Sequence, residues 1–363
     1  MRTLAAAVLI LAAATGMRGE DWQPPRVAMS RTELEAEYPR RTVSAGVLEI
    51  ERLSARLGID TAPPGRAKVD PENEERVTVE IPEDGHERPD SELVKRTQAT
   101  LSATSGWVND ELSQPSDRVG APPESVSRFL DENAATIDSI VAIATKPAPL
   151  EWDLDVKAGL GAPIPNYPGL MRLDRVLAAH ALIRVRAGEP QAALQAAEAM
   201  WHIGEGLASR PELIAHLIVA AKLKLIVGLL RKIDDPAFGW ECRLRERGFF
   251  KAFLVAIQND PWPASSDPEM QPMIEIMTRI YRRFADSLVE GEACEWTTDS
   301  LQHAWDVAKS GENGPEQVLM EIATPNFVEM VLRWRKVLLD SELTASFSRP
   351  GARRPPLERA RGH

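Results

Sequence analysis

The sequence predicts an all-α protein made of antiparallel helix hairpins, arranged as a bundle or a short solenoid. Apolar residues recur at the three- and four-residue spacing of one helix face over most of the chain. No stretch shows a sustained alternation of apolar and polar residues, which is the pattern of a half-buried strand. A hydrophobic fraction of 44% is enough for a core, while 28 prolines divide the chain into many short elements.

Residues 1–16 are predicted to be a secretory signal peptide. Arg2 gives a short basic start, Leu4 to Thr15 are uncharged, and Ala14-Thr15-Gly16 ends the run with the small residues that signal peptidase accepts. The apolar run is shorter than the roughly 20 residues that span a bilayer. We therefore expect cleavage, a periplasmic or secreted mature protein, and no transmembrane segment after the signal is removed.

Residues 17–60 are predicted to form an N-terminal helical segment. Helical spacing and end signals place one helix from Ser30 or Thr32 to Tyr38. A second helix is expected from about Thr42 to Leu57, because Gly58 stands at the usual stop position.

Residues 61–91 are predicted to be an acidic, proline-rich linker. Between Asp70 and Glu92, ten Asp and Glu face two Arg, so most of the net charge of −11 is local. Such a segment buries too little apolar surface to offset its ordering entropy. We expect disordered chain that includes His86 and contains at most a short strand at 76–81.

Residues 92–345 are predicted to form the main helical domain. Helix signals run from about Ser91 to Pro115 and from Pro122 to Ile143, and they are strongest between Leu170 and Ile233. Residues 147–169 form an irregular connection with five prolines, of a length that is usually packed or functional. Further helices are expected at 243–258, 269–289, 299–309 and 325–345.

Two features concern the later part of the chain. The helix from Leu213 to Leu230 is apolar nearly all round, so we expect it to be central, and Lys222 and Lys224 argue against a membrane span. Residues 346–363 hold five arginines and three prolines. They are predicted to be a disordered basic tail, since they have little to bury.

The helix pair from Leu170 to Leu207 resembles a tetratricopeptide-type hairpin. Its turn is Arg186-Ala-Gly-Glu-Pro-Gln-Ala-Ala193, and the match covers roughly one unit with no second copy along the chain. Together with Tyr38-Pro-Arg-Arg-Thr-Val-Ser-Ala-Gly-Val-Leu-Glu49 and Ala323-Thr-Pro-Asn-Phe327, the hairpin resembles a loosely defined group of exported bacterial helical proteins without an assigned activity. The resemblance implies an exported helical fold and no particular chemistry.

Glu198, His202 and Glu205 are the candidate site residues of the chain. Positions i, i+4 and i+7 place a carboxylate, an imidazole and a second carboxylate on one helix face. This set could contribute to a metal site or to an acid–base pair. The alternative is a solvated, charge-paired face. His180 and His216 lie on apolar faces of neighbouring helices, where we expect hydrogen-bonded core residues.

Cys242 and Cys294 are an even pair in a chain expected to enter an oxidising compartment. Their mirrored Trp-Glu-Cys and Cys-Glu-Trp contexts favour one disulfide, and two buried unpaired thiols are the alternative. Trp262, between Pro261 and Pro263, is a candidate contact for a sugar or a protein partner. The other reading of Trp262 is a ring that caps the preceding helix.

These observations predict an exported helical interaction or scaffold protein of the cell envelope. The spacings typical of phosphate loops, dinucleotide sites, zinc proteases and serine hydrolases are missing, which disfavours an enzyme without excluding one. No cofactor is expected, and no catalytic, cofactor-binding or metal-binding residue is assigned. The expected partner is an unknown envelope protein or polymer and no nucleic acid, because the folded part lacks a basic surface. The alternative is an envelope hydrolase or carbohydrate-active protein with a site near the 147–169 loop.

Overall fold

A computed structural model describes residues 31–64, 66–70, 73–80, 86–114, 118–161 and 163–233, with ten further residues between Trp240 and Thr344. Several predictions of the sequence fall outside these residues: the signal peptide, the Cys242–Cys294 disulfide, Trp262, the basic tail and most of the helices expected after Ile233.

The described part of the chain is all-α apart from one small hairpin of strands. Its helices are α1 (Arg31–Glu37), α2 (Ala45–Arg56), α3 (Ser91–Ser113), α4 (Glu124–Glu132), α5 (Ala134–Ala144), α6 (Tyr167–Arg186), α7 (Pro190–Ala208) and α8 (Leu213–Lys232), with a 3-10 helix at Val156–Gly161. The fold class predicted from helical spacing is confirmed.

Helix α6 is the centre of the packing. It contacts α3, α5, α7 and α8, while α7 also contacts α5 and α8, and α2 packs on α5. Buried apolar side chains from α2 to α8 form one continuous cluster. The N-terminal segment, as far as the structure describes it, therefore contributes to the same core as the main domain.

Helices α6 and α7 form the predicted hairpin. Gly188 follows α6 with a φ of +78°, in the left-handed region that glycine adopts without strain at a helix C-terminus. Small side chains are fully buried on both helices, among them Ala178, Ala181, Ala193 and Ala197, and the two helices pack on each other. Small residues allow the two backbones to approach closely. The likeness to a tetratricopeptide unit stays a prediction.

The helix expected from Pro122 to Ile143 is in fact two helices, α4 and α5. The chain leaves helical geometry at Asn133, whose φ is −109° and whose ψ is 8°. The Asn133 side chain donates from Nδ2 to the carbonyl of Phe129 across 2.8 Å. Asparagine breaks the helix here because its side chain competes for backbone hydrogen bonds. The apolar spacing continues across the break and hides it.

The acidic linker is more ordered than the sequence predicts. Strands β1 (Arg66–Asp70) and β2 (Asn73–Glu80) pair in antiparallel fashion where only a short strand at 76–81 was expected. The expectation that His86 lies in disordered chain is wrong, because its side chain is only 3% exposed and its Nδ1 lies 2.6 Å from Glu51. The physical reason is the Glu51 carboxylate, which is buried in α2 and requires a partner.

Arg88 gives the end of the linker a second anchor. Its guanidinium donates to the Asp60 carboxylate across 2.8 Å and also to the carbonyl of Pro63. Thr61 and Ala62 are buried at the other end of the linker. Both ends of the acidic segment are therefore fixed on the helical core.

Helix α8 packs against α3, α6 and α7 and is mostly buried, so it belongs to the core as the sequence predicts, although α6 is the helix at the centre of the packing. Ile226 is fully buried and Leu225 nearly so, whereas Leu217 is only half-buried. Within the described residues, α8 is the helix long and apolar enough to cross a membrane, but 67% of its most apolar window is buried inside the protein. A core helix of a folded protein has the same properties.

Asp174 of α6 and Lys222 of α8 form an ion pair inside this core. Lys222 Nζ donates to Asp174 Oδ1, and neither side chain is more than 1% exposed. Burial raises the pKa of Asp174 and lowers that of Lys222, while each charge opposes the shift of the other. Because loss of either partner leaves an unpaired buried charge, the pair favours one alignment of α6 against α8.

The 147–169 connection is held to the junction of α7 and α8 by Arg210. The Arg210 side chain is 2% exposed. Its guanidinium donates to the carbonyls of Asp153 and Pro163 and to the carboxylate of Glu212. His216 in turn donates from Nε2 to the Arg210 carbonyl across 2.8 Å. We call Arg210, Glu212 and His216 the Arg210 clasp.

The clasp predicts a pH dependence of stability through His216. Burial lowers the pKa of His216 from 6.5 to about 4. The unfolded chain then binds more protons than the folded protein below pH 6.5. The contribution of neutral, buried His216 to the free energy of unfolding is therefore complete above pH 6.5 and is lost as the pH falls towards 4.

The variant His216→Gln tests this pH dependence. Between pH 7 and pH 4, we expect its free energy of unfolding to fall by roughly 3 kcal/mol less than that of the wild type. Glutamine keeps a donor for the Arg210 carbonyl but does not titrate. Urea unfolding at both pH values measures this, and parallel losses in the two proteins would contradict it.

Candidate functional site

An open cleft lies where the end of α5, the start of the 147–169 connection and α7 meet. Its volume is about 440 Å³, within the roughly 300–1,000 Å³ of small-ligand sites. We call it the loop cleft. It is lined by Arg41, Lys146, Pro147, Ala148, Pro149, Leu150, Glu151, His202, Glu205, Gly206 and Ser209.

The loop wall of the cleft is fixed to the chain that precedes α2. Ser44 caps α2 by accepting the Val47 N–H at its Oγ. The Ser44 N–H donates to the Glu151 carbonyl across 2.8 Å, and its Oγ accepts the Glu151 N–H across 3.2 Å. Arg41 and Leu154 exchange two further backbone hydrogen bonds of 3.0 and 3.1 Å. The cleft is therefore formed before any ligand binds.

Gly206 lets the loop wall lie directly on α7. A Cβ atom at this position would stand 2.3 Å from the Leu150 carbonyl oxygen and 2.6 Å from the ring of Trp152. Real Cβ atoms do not approach other atoms so closely, so any larger residue forces the loop outward. The width of the cleft depends on this glycine.

His202 connects α7 to the C-terminus of α5. Its Nδ1 donates to the Ala144 carbonyl across 2.9 Å, and its Nε2 lies 3.1 Å from Glu198 Oε1. Ala144 ends α5, where carbonyls lack a partner in the helix. Both ring nitrogens of His202 therefore face oxygen atoms of the protein. Neither nitrogen is left for a bound substrate.

Glu198 is neutralised from its other side by Arg243. Nη1 of Arg243 lies 2.6 and 2.5 Å from the two carboxylate oxygens. The guanidinium also lies 5.9 Å from the ring centroid of Trp201 and 5.3 Å from that of Trp240. The two rings meet edge to face at 5.6 Å. Ion pairing and cation–π attraction together fix Arg243 on α7.

The structure thus divides the three candidate residues. Glu198 and His202 are brought together, and Glu198 is also ion-paired with Arg243. Glu205 is exposed and lines the loop cleft. Within the described residues, no group of three or more His, Cys, Asp or Glu is placed to hold a metal ion.

His180 and His216 are buried, hydrogen-bonded core residues, as the sequence predicts. His180 Nε2 lies 3.0 Å from an Asp138 carboxylate oxygen and 3.4 Å from Nε of Arg184. Burial lowers the pKa of His180, and the Asp138 charge opposes the shift. These contacts tie α6 to α5 and leave the ring outside the cleft.

Four charged residues line the cleft, and sequence reasoning selected only Glu205, as part of the charged face of a helix. Arg41, Lys146, Glu151 and Glu205 line the cleft, and none of them forms an ion pair within the described part of the chain. Arg41 donates from Nη1 to Ser209 Oγ across 3.0 Å and from Nη2 to the Ser209 carbonyl across 3.4 Å. The one sequence signal for Arg41 is a basic pair isolated between two predicted helices.

No family model, no curated protein and no solved structure matches this chain. The resemblance to exported tetratricopeptide-like proteins therefore stays a prediction, and the function is argued from the cleft itself.

Replacing Gly206 with Ala tests the close contact that shapes the cleft. We expect Gly206→Ala to lose about 1–3 kcal/mol of free energy of unfolding, as overpacked sites do, because the loop wall must move off α7. The matched control is Gly106→Ala in α3, where a Cβ would meet nothing within 4 Å. The control should gain about 0.5–1 kcal/mol from helix propensity. Equal gains in both variants would show that the loop does not rest on α7.

Proposed function

We propose that this protein is an exported helical binding protein of the cell envelope that holds a segment of its partner in the loop cleft. One observation carries the proposal: the cleft is preformed by backbone hydrogen bonds, and its histidine has both ring nitrogens occupied. A preformed cleft binds without the cost of ordering its walls. Both ring nitrogens of His202 contact oxygens of the protein, so neither faces a bound substrate.

The alternative, an envelope hydrolase near the 147–169 loop, has weaker support. The loop cleft does lie at the start of that connection. A hydrolase also needs an acid or base within hydrogen-bond reach of the reacting group. Among the described lining residues, this leaves Lys146, Glu151 and Glu205, whereas both ring nitrogens of His202 contact oxygens of the protein. Binding is the function that fits all of these contacts.

The expected partner is a protein or polymer of the cell envelope. Its location follows from the apolar run and the small residues at the end of segment 1–16, which predict export. The partner is expected not to be nucleic acid, because the cleft carries carboxylates as well as cations.

Site-specific photo-crosslinking in cells tests this function. A photoreactive amino acid at Ala148, exposed in the cleft wall, should yield a defined cross-linked species in the envelope fraction, from protein whose N-terminus is close to Met17. The control position is Gln195, which is exposed on α7 and does not line the cleft. Glu205→Lys should reduce the Ala148 product about tenfold, since it replaces a carboxylate of the cleft by a longer side chain of opposite charge.

Three outcomes would overturn the proposal. Equal products at Ala148 and Gln195, or none at either position, would mean that the cleft is not a binding site. An intact Met1 in cytosolic protein would contradict export.

A further inference from the structure

We propose that the loop cleft binds a zwitterionic ligand, namely a short peptide segment that carries both a carboxylate and an ammonium group. The inference rests on the proposed function and names its ligand class.

The first observation is the charge pattern of the cleft. Arg41 and Lys146 are cations, Glu151 and Glu205 are carboxylates, and within the described chain none of the four is ion-paired. Elsewhere in the described chain, many charges are paired on their own helix, as in Glu49–Arg52, Glu92–Lys95 and Glu124–Arg128. A cavity lined by unpaired charges of both signs is complementary to a ligand that carries both signs.

The carboxylate of the ligand is recognised by Arg41. The backbone of Arg41 is held by Leu154 through two hydrogen bonds, and its guanidinium is held by Ser209. A guanidinium has five N–H groups, so several remain for a ligand after the two contacts with Ser209. Fixed in this way, Arg41 offers the planar fork that suits carboxylates. Lys146 adds a second cation on the exposed rim.

The ammonium group of the ligand is recognised by the carboxylates. Glu205 projects from α7, and Glu151 comes from the loop wall, so the negative charges come from both walls of the cleft. A ligand with only negative charge would be repelled by these residues, and a ligand with only positive charge by Arg41 and Lys146.

The shape of the cleft favours a small peptide. A volume of about 440 Å³ has room for a few small residues. The rim at Pro147, Ala148 and Pro149 is exposed and apolar, and it can contact methyl groups and backbone between the two charged ends. Two prolines also make this rim rigid, which limits the entropy lost on binding.

Four forms of trialanine separate the two charges experimentally. They are the free peptide, N-acetyl-trialanine, trialanine amide and the doubly blocked peptide. Titration of the full chain by calorimetry should show the tightest binding for the free peptide. Blocking either end should weaken binding at least about tenfold, because one charge of the cleft then lacks its partner.

Variants assign each end of the peptide to its residue. Glu205→Gln should reduce the difference between free and acetylated peptide, and Arg41→Gln should reduce the difference between acid and amide. If Arg41→Gln lowers the melting temperature, Lys146→Gln serves instead to test recognition of the peptide carboxylate. Glu132→Gln, exposed on α4 away from the cleft, should change neither difference.

The result that overturns the inference is equal binding of all four peptides, or discrimination that survives in every cleft variant. Absence of binding by the free peptide at millimolar concentration would also overturn it. If that absence accompanies a specific cross-link at Ala148, the zwitterionic ligand is wrong and the proposed function stands. If the cross-link is absent as well, the proposed function fails.

Discussion

The buried guanidinium of Arg210 is the interaction on which the cleft side of the molecule depends. A cation that is 2% exposed is tolerated only when acceptors surround it. Glu212 supplies the charge partner at the start of α8, and the carbonyls of Asp153 and Pro163 complete the set from the irregular connection. A long proline-rich segment thereby becomes a packed wall that is tied to the helices.

The cleft follows from this arrangement. Arg210 holds the 147–169 connection at Asp153. Residues of the connection close to Asp153 can then form backbone hydrogen bonds with Arg41 and Ser44, and the connection can lie on Gly206 of α7. On the opposite side, His202 caps α5 and fixes the helix end from which the wall departs. The site is therefore a product of contacts between segments that are far apart in sequence.

The local elements could be predicted from the sequence, because their causes are local. The sequence predicts a helix hairpin from Leu170 to Leu207, and the structure has α6 and α7 there, at Tyr167–Arg186 and Pro190–Ala208. The turn at Gly188 needs only the conformational freedom of glycine. The spacing also placed Glu198, His202 and Glu205 on one helix. It could not show that Glu198 is neutralised by Arg243, since that partner lies 45 residues along the chain.

The predictions that failed concern tertiary contacts. The acidic segment is predicted to be disordered from its composition alone. Composition does not reveal that His86 pairs with Glu51, which lies 35 residues earlier in the chain. The break at Asn133 was hidden because apolar spacing continues through it. Arg41 and Lys146 carry no motif, and their role follows only from the cleft that they line.

Hydrogen exchange in the variant Arg210→Met with Glu212→Gln tests most directly whether the clasp builds the cleft wall. The double change removes the guanidinium without leaving a buried carboxylate unpaired. The amides of Arg41, Ser44 and Leu154 should lose protection, because their acceptors lie in contacts that Arg210 holds, while α6 and α8 keep theirs. The control Arg128→Met, on the exposed face of α4, should leave all of these amides protected. Unchanged protection at Arg41, Ser44 and Leu154 in the double variant would contradict the central role of the clasp.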